Sequence, residues 1–376
     1  MNDAPRMNGQ WFGKFGGSTP GFMVLNVDDV ESGYVGVAYL FNDDSTLPVT
    51  AAGFLLQEKK PTFEIRTTYI LPLDPSTVTP IPFEQVQPRF GKFSSSADIS
   101  GRLEDDSLHL AWKTDIGIEG DCVISRSRAG EPSELQAQKM SWGDFKDFVA
   151  HVQAERPVFR GQSSPWRLRT SYHRLGRAEM TRFVERDMPM LHRNLSARTR
   201  HVFNIQGSPD ENGAFLNLVQ HHGYSTPLLD WTYSPYVAAF FAYRGISNRS
   251  ADDADKDKRV RLFIFDAEKW KQKFQSFMQL ICPKLHITIA EFIAIENERL
   301  IPQQAVTMVT NIDDVETYIR RKEEESGEKF LSAVDLPLSE RRMVVRELNY
   351  MGITAGSMFP GLDGACEELK ERNFDF

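Results

Sequence analysis

The residues best suited to chemistry lie in the segment QHHGYSTPLLDWTYSPYVAAFFAY, residues 220–243. Two histidines open it, a short apolar run ends in the triplet Asp230-Trp231-Thr232, and Ser234 precedes a proline and a wholly apolar stretch. Serine at the N-cap and proline in the first turn are common at the start of a helix. The pattern predicts a strand that ends in polar side chains and leads into a buried helix. A well-capped core helix with an ordinary polar turn is the alternative interpretation.

Two further segments carry side chains that could hold an anion or stabilise positive charge. In the predicted strand PVFRGQ, Arg160 lies between an aromatic residue and a glycine. An arginine there is either a structural ion-pair donor or a forked donor for phosphate or carboxylate. Carboxylates and amides cluster between two later apolar strands, in ENER (296–299) and PQQ (302–304). These are either site residues or ordinary turn residues.

The adjacent histidines do not predict a metal site. Residues i and i+1 cannot share one helix face, and no carboxylate or thiol in a metal-binding motif accompanies His221 and His222. Cys122, Cys282 and Cys366 are far apart and odd in number. That usage is typical of a reducing compartment and gives neither a zinc site nor a disulfide framework. We therefore expect no metal.

The elements that must position these residues divide into two domains, because 376 residues exceed one ordinary core. Up to residue 131, glycines punctuate short alternating runs such as TFEIRT (62–67), which predicts an all-β barrel or sandwich. From residue 140 to 376 strands are mixed with helices, one of them expected over 268–281. The predicted fold class is α+β, with residues 1–131 as a sensing, binding or targeting module, or as a structural appendage.

Composition limits the classes of function. The formal net charge of −8 argues against a protein that coats nucleic acid. No apolar run approaches the roughly 20 residues that span a bilayer. The N-terminal residues MNDAPRMNGQW lack the basic and apolar regions of a signal peptide. We expect a cytoplasmic protein without a membrane partner.

Five blocks resemble the FRG domain, a family named for its Phe-Arg-Gly element. They are VFRGQ (158–162), WRL (166–168), QHHGYSTPLLDWTYSPYVAAFFAY (220–243), ERLIPQQAV (298–306) and LNYMGITAGSMFPGLDGACEELK (348–370). The resemblance covers roughly residues 140–372 and leaves the β domain outside. This chain departs from the family pattern at Pro227 or Leu228, where arginine is usual, and at Ala305, where glycine is usual.

The order of these blocks is similar to that of ADP-ribosyltransferases of the arginine–serine–glutamate type. This resemblance implies an ADP-ribosyltransferase fold for the second domain, with NAD as the substrate. Arg160 matches the first element, and Thr232 and Ser234 match the second. The third place falls to an acidic or amide residue among Glu296, Glu298, Gln303 and Gln304.

Under this resemblance each site residue has a role. Arg160 would hold the NAD pyrophosphate, Thr232 and Ser234 would position the nicotinamide ribose, and Glu298 would stabilise an oxocarbenium-like transition state, with Gln304 beside it. Tyr224 or Trp231 would stack on the nicotinamide ring. The expected NAD contacts are Arg160, Gly161, Gln162, His222, Tyr224, Asp230 and Trp231. A protein, a nucleic acid or water would accept the ADP-ribose.

Two other functions remain open. The protein could bind a ligand or partner without turnover, with the fold but not the activity. It could also act on nucleic acid, with His221 or His222 as a general base. A bacterial toxin or phage-defence role would suit such a two-part chain.

Overall fold

Short strands occupy the N-terminal part of the chain, as the sequence predicts. The protein is described by a computed structural model over residues 6–152, 156–274 and 279–374. The N-terminal elements are β1 (Gly9–Gly17), β2 (Gly21–Val30), β3 (Gly33–Asn42), β4 (Val49–Leu56), β5 (Thr62–Arg66), β6 (Tyr69–Leu73), α1 (Phe83–Phe90), β7 (Ala97–Glu104), β8 (Ser107–Thr114) and β9 (Glu119–Arg126).

These nine strands form one large antiparallel sheet in the order β5-β7-β8-β9-β1-β2-β3-β4-β6. Its two edge strands follow each other in the chain. At their junction the Thr67 amide donates to the Ala97 carbonyl, and the Thr68 amide donates to the Gly53 carbonyl. One bent segment therefore pairs with both β7 and β4, and the sheet is curled around an apolar cluster that includes Trp11.

Strands and helices mix in the remainder, which confirms the α+β class. Its elements are β10 (Ala137–Lys139), α2 (Trp142–Val149), β11 (Val158–Gln162), α3 (Ser171–Arg174), α4 (Met180–Arg182), α5 (Met188–Leu195), α6 (Pro209–His221), β12 (Leu228–Thr232), α7 (Pro235–Tyr243), α8 (Asn248–Asp252), β13 (Arg259–Phe265), α9 (Ala267–Phe274), β14 (Ile287–Ala290), β15 (Ala305–Thr310), α10 (Val315–Ser326), β16 (Leu331–Pro337), α11 (Arg341–Tyr350), α12 (Ala355–Met358) and α13 (Leu362–Phe374). Of the helix expected over 268–281, residues 275–278 lie outside the described residues, and residues 279–281 are not helical.

The second sheet has seven strands in the order β10-β16-β13-β11-β12-β15-β14, with β11 at its centre. Successive side chains on a strand point to opposite faces, and each face buries its own apolar cluster. Phe159 and α7 belong to one cluster, and Val158 and Trp231 belong to the other. In the part of the chain that the structure covers, no helix combines the length and the apolar character needed to cross a membrane.

Buried polar contacts join the N-terminal sheet to the C-terminal part. Asp28 on β2 is fully buried and accepts hydrogen bonds from the Ala178 amide at 2.8 Å and the Arg177 Nε at 2.6 Å. Gln10 on β1 is equally buried, and its Nε2 donates to the Asn311 carbonyl at 2.9 Å. Because buried polar groups must be paired, these contacts fix how the two parts meet.

The burial of His173 and His286 predicts that the folded protein is less stable at acidic pH. Burial lowers the pKa of His173 to about 3 and that of His286 to about 4. Between those values and the unfolded pKa of about 6.5, the unfolded chain binds more protons than the folded protein. The free energy of unfolding should therefore fall as the pH drops below 6.5, by roughly 1.4 kcal/mol per pH unit for each histidine.

Urea unfolding of the wild type and of His286→Gln between pH 7 and pH 4.5 measures this effect. The variant should lose less stability than the wild type over that interval, because glutamine does not titrate. The same pH dependence in both proteins would contradict the assignment to His286.

Candidate functional site

Arg160 lies where two central strands separate. β11 and β12 share the single register pair Phe159–Thr232. Beyond that pair, in what we call the β11–β12 gap, Arg160 Nη1 donates to the Asp230 carbonyl at 2.5 Å. The guanidinium thus replaces a missing ladder hydrogen bond. Its Nε is buried and has no hydrogen-bond partner within the described residues.

A second guanidinium lies close to this gap. Arg174 is exposed at the end of α3. Burial is the main reason why the pKa of Arg160 is lowered to about 10. The Asp230 carboxylate opposes this shift, and repulsion by Arg174 adds to it. Within the described ranges neither arginine forms an ion pair closer than 4 Å; Arg174 Nη1 donates to the Arg169 carbonyl instead. Two cations without a paired carboxylate are suited to holding an anion.

Helix α6 lays a polar face over the neighbouring strands. Gln220 Nε2 donates to Asp230 Oδ1, and Asn217 Nδ2 donates to Thr307 Oγ1 at 2.8 Å. Asp230 on β12 and Thr307 on β15 are cross-strand partners. Two amides from one helix therefore hold two adjacent polar positions of the sheet.

The polar network continues into the turn that precedes β15. Asn297 Nδ2 donates to Asn217 Oδ1 at 3.2 Å, and Asn297 Oδ1 lies 2.8 Å from His221 Nδ1. Arg299 Nη1 donates to the His221 carbonyl at 2.7 Å. Connected polar contacts therefore link Arg160, through the end of α6, to the turn that contains Glu298.

The two hydroxyls expected to position a ribose are already engaged. Thr232 Oγ1 donates to the Gln303 carbonyl at 2.7 Å and accepts from the Ser234 amide at 3.0 Å. Ser234 Oγ accepts from the Val237 amide at 3.2 Å and is the N-cap of α7. Both side chains stabilise the turn between β12 and α7, in agreement with the capping interpretation of this segment.

Trp231 and Gly161 belong to the packing rather than to an open surface. Trp231 is 2% exposed and packs against Phe265, with ring centroids 5.6 Å apart. It points to the face opposite Asp230, so it is not available to stack on a nicotinamide ring, contrary to the expectation from sequence. A Cβ on Gly161 would lie 1.8 Å from the Ala238 carbonyl oxygen. This glycine lets α7 pack directly on β11.

The remaining predicted residues lie around the gap at different depths. Gln162 Nε2 donates to the Trp166 carbonyl. Tyr224 is half-buried and packs against an apolar cluster that includes Leu218 and Val219 of α6, and His222 is exposed at the C-cap of that helix. Glu298 and Gln304 are both exposed in the turn before β15. Gln304 adopts a φ of 46°, a left-handed conformation that non-glycine residues rarely adopt.

Asn297 belongs to the ENER segment that the sequence offered as a candidate, whereas Arg174, Asn217 and Thr307 were not predicted. The sequence does contain a signal for Asn217, because this amide interrupts the apolar helical run AFLNLV. In the structure its side chain is 1% exposed. A buried amide in such a run needs a partner. Among the described residues no group of three or more His, Cys, Asp or Glu side chains is placed to hold a metal ion.

Comparison with known proteins identifies part of this region. Residues 155–252 match the family model described as the FRG domain, which confirms that resemblance from β11 to α8. The blocks at 298–306 and 348–370 lie outside the match. No curated protein matches the chain. A solved structure titled "Crystal Structure of Rv2717c from M. tuberculosis" is similar at 12% identity, over 32% of this chain and 93% of that chain, with a TM-score of 0.20.

Proposed function

We propose that the FRG domain binds NAD at the β11–β12 gap and cleaves its nicotinamide–ribose bond, by ADP-ribosyl transfer or by hydrolysis. The observation that carries this proposal is the pair Arg160 and Arg174, two guanidiniums without an ion-paired carboxylate in the described part of the chain. The pyrophosphate of NAD carries two negative charges. It could accept hydrogen bonds from both side chains and engage the unused Nε of Arg160.

The turn before β15 would supply the other side of the site. At Thr232, which pairs with Phe159 on one side and Ala305 on the other, neighbouring strands lie about 4.8 Å apart, so β11 and β15 are separated there by roughly 10 Å. From that turn, the exposed Glu298 carboxylate would stabilise positive charge on the ribose, and the Gln304 amide would assist its placement. In this proposal the N-terminal curled sheet serves as the sensor or targeting module of a cytoplasmic, bacterial toxin or defence protein.

Nicotinamide release from NAD tests the proposal. Arg160→Ala should lower the rate about 100-fold or more, because it removes the main donor to the pyrophosphate, and Glu298→Gln should lower kcat by a similar factor. Arg160→Lys keeps the charge but loses the fork, and it should recover only part of the activity. The exposed Arg193 provides a control, since Arg193→Ala should leave the rate within twofold of the wild type.

Calorimetric titration with NAD completes this test. Wild-type protein that neither releases nicotinamide nor binds NAD would overturn the proposal. Thermal unfolding of each variant separates loss of the site from loss of the fold, because Arg160 also donates to the Asp230 carbonyl.

NAD or partner binding without turnover is the second candidate. It is favoured by the Thr232 and Ser234 hydroxyls, which are already used to hold the β12–α7 turn. Measurable NAD binding with no nicotinamide release in the wild type would support this function. Cleavage of RNA or DNA that does not depend on NAD would instead favour the nucleic-acid alternative.

A further inference from the structure

We propose that His221 is the general base of the transfer reaction and that the acceptor it serves is a hydroxyl group, either water or an alcohol. This inference rests on the proposed cleavage of NAD. It names a catalytic residue and an acceptor class that the FRG match does not provide.

The hydrogen bonds around Asn297 determine which nitrogen of His221 carries the proton. Asn297 Oδ1 faces His221 Nδ1 at 2.8 Å and also faces the Arg299 backbone amide at 3.4 Å. A backbone amide can only donate. The Asn297 atom at this position must therefore be the oxygen, and His221 Nδ1 must carry the hydrogen.

The rest of the chain of amides agrees with that orientation. Asn297 Nδ2 donates to Asn217 Oδ1, and Asn217 Nδ2 donates to Thr307 Oγ1. These three side chains are 5% exposed or less. A buried network in which every member is satisfied holds one arrangement. Neutral His221 is thus kept with Nδ1 protonated and with a free electron pair on Nε2.

The position of His221 suits a base at this site. It is half-buried at the last residue of α6, and no hydrogen-bond partner of Nε2 occurs among residues 6–152, 156–274 and 279–374. The preceding residue, Gln220, contacts Asp230, whose carbonyl accepts from Arg160. The imidazole of His221 itself contacts Asn297, and the His221 carbonyl accepts from Arg299, so its side chain lies next to the turn that contains Glu298 while its Nε2 remains available.

The chemical step balances with these groups alone. The bond between ribose C1′ and the nicotinamide nitrogen breaks, and its electron pair leaves with nicotinamide. The acceptor oxygen forms a bond to C1′ while its proton moves to His221 Nε2. The imidazolium then releases that proton to solvent. The products are nicotinamide, the ADP-ribosylated acceptor and one proton.

A base at this position selects the acceptor class. A hydroxyl must lose a proton as it attacks, so an imidazole with a free Nε2 accelerates its reaction. A carboxylate acceptor, or azide, has no proton to lose and gains nothing from the base. Anionic nucleophiles therefore discriminate between the base and a structural role for His221.

The first experiment reads the tautomer directly. Nitrogen-15 NMR of the full chain at pH 7.5 should show His221 with a protonated Nδ1 and an unprotonated Nε2, and Asn297→Ala should give a mixture of both tautomers. A neutral His221 protonated on Nε2 in the wild type would overturn the inference. This measurement requires no enzymatic activity.

The second experiment measures nicotinamide release with and without sodium azide. His221→Ala should reduce the rate in water by about 100-fold or more, and azide should restore it to within tenfold of the wild type. His151→Ala, which changes an exposed histidine of the segment after α2, should match the wild type in both conditions. Arg160→Ala should stay slow in both.

The outcomes separate two kinds of failure. An active wild type whose His221→Ala variant is equally active, or is slow and folded but not rescued by azide, overturns the role of His221 and leaves NAD cleavage standing. A wild type that releases no nicotinamide overturns NAD cleavage and this inference together, and calorimetric titration with NAD then decides whether the binding function stands.

Discussion

Gly161→Ala is expected to lower the free energy of unfolding by about 3 kcal/mol, a large effect for one added methyl group. The new Cβ would lie 1.8 Å from the Ala238 carbonyl oxygen and 2.8 Å from the Ala242 amide nitrogen. Both atoms belong to the backbone of α7, so no flexible side chain can move aside. Because Ala238 and Ala242 are fully buried, the helix must shift away from β11 as a unit.

Urea unfolding of Gly161→Ala against Gly143→Ala measures this effect. Gly143 lies in α2, and a Cβ there would meet only Ser141 Oγ, at 3.7 Å. Alanine is favoured over glycine within a helix by about 1 kcal/mol, so the control should be as stable as the wild type or more stable. A Gly161→Ala protein within 1 kcal/mol of the wild type would show that the helix yields easily. The expected result would show that Gly161, the glycine of the Phe-Arg-Gly element, is needed for α7 to pack on β11.

Local patterns in the sequence were sufficient to predict the framework of the site. The apolar run before Asp230, the Ser234 cap and the apolar helix after it determine the strand, turn and helix at β12 and α7. Each signal acts over a few residues, through alternation or capping. The same alternation predicts that Trp231 faces away from Asp230 and Thr232. That inference was available from the sequence, and the structure agrees with it.

The partners of these residues could not be predicted in the same way. Asn217 and Asn297 are separated by 80 positions and meet because α6 crosses β12 and β15. Arg174 approaches the β11–β12 gap from α3, a helix of four residues. No local pattern encodes such a crossing, since it depends on how distant elements pack. The sequence therefore suggests Arg160 as a hydrogen-bond donor to an anion, but it does not identify the second guanidinium beside it.

Asp28→Ala is expected to lower the free energy of unfolding by about 3–5 kcal/mol, the range for removal of one partner of a buried ion pair. The Asp28 carboxylate is fully buried and accepts from Arg177 Nε at 2.6 Å, Arg182 Nη1 at 3.4 Å, and the Ala178 and Glu179 amides at 2.8 and 3.1 Å. Its removal would leave the Arg182 guanidinium and two amides without this acceptor, and Arg177 would keep Asp187 as its remaining carboxylate partner. All four donors lie within residues 177–182, which include α4, so this one residue of the N-terminal sheet organises the adjoining surface of the C-terminal part.

Asp29→Ala is the matched control, because the next residue forms only an exposed pair with Lys59 at 2.6 Å. Such surface pairs contribute about 1 kcal/mol or less, so this variant should remain close to the wild type. Urea unfolding should give one transition for the wild type and for Asp29→Ala. For Asp28→Ala we expect two transitions, since the curled sheet and the seven-stranded sheet then lose a central contact and unfold separately. Equal stability of the two variants would show that the other contacts between the sheets, such as Gln10 with Asn311, are sufficient to hold them together.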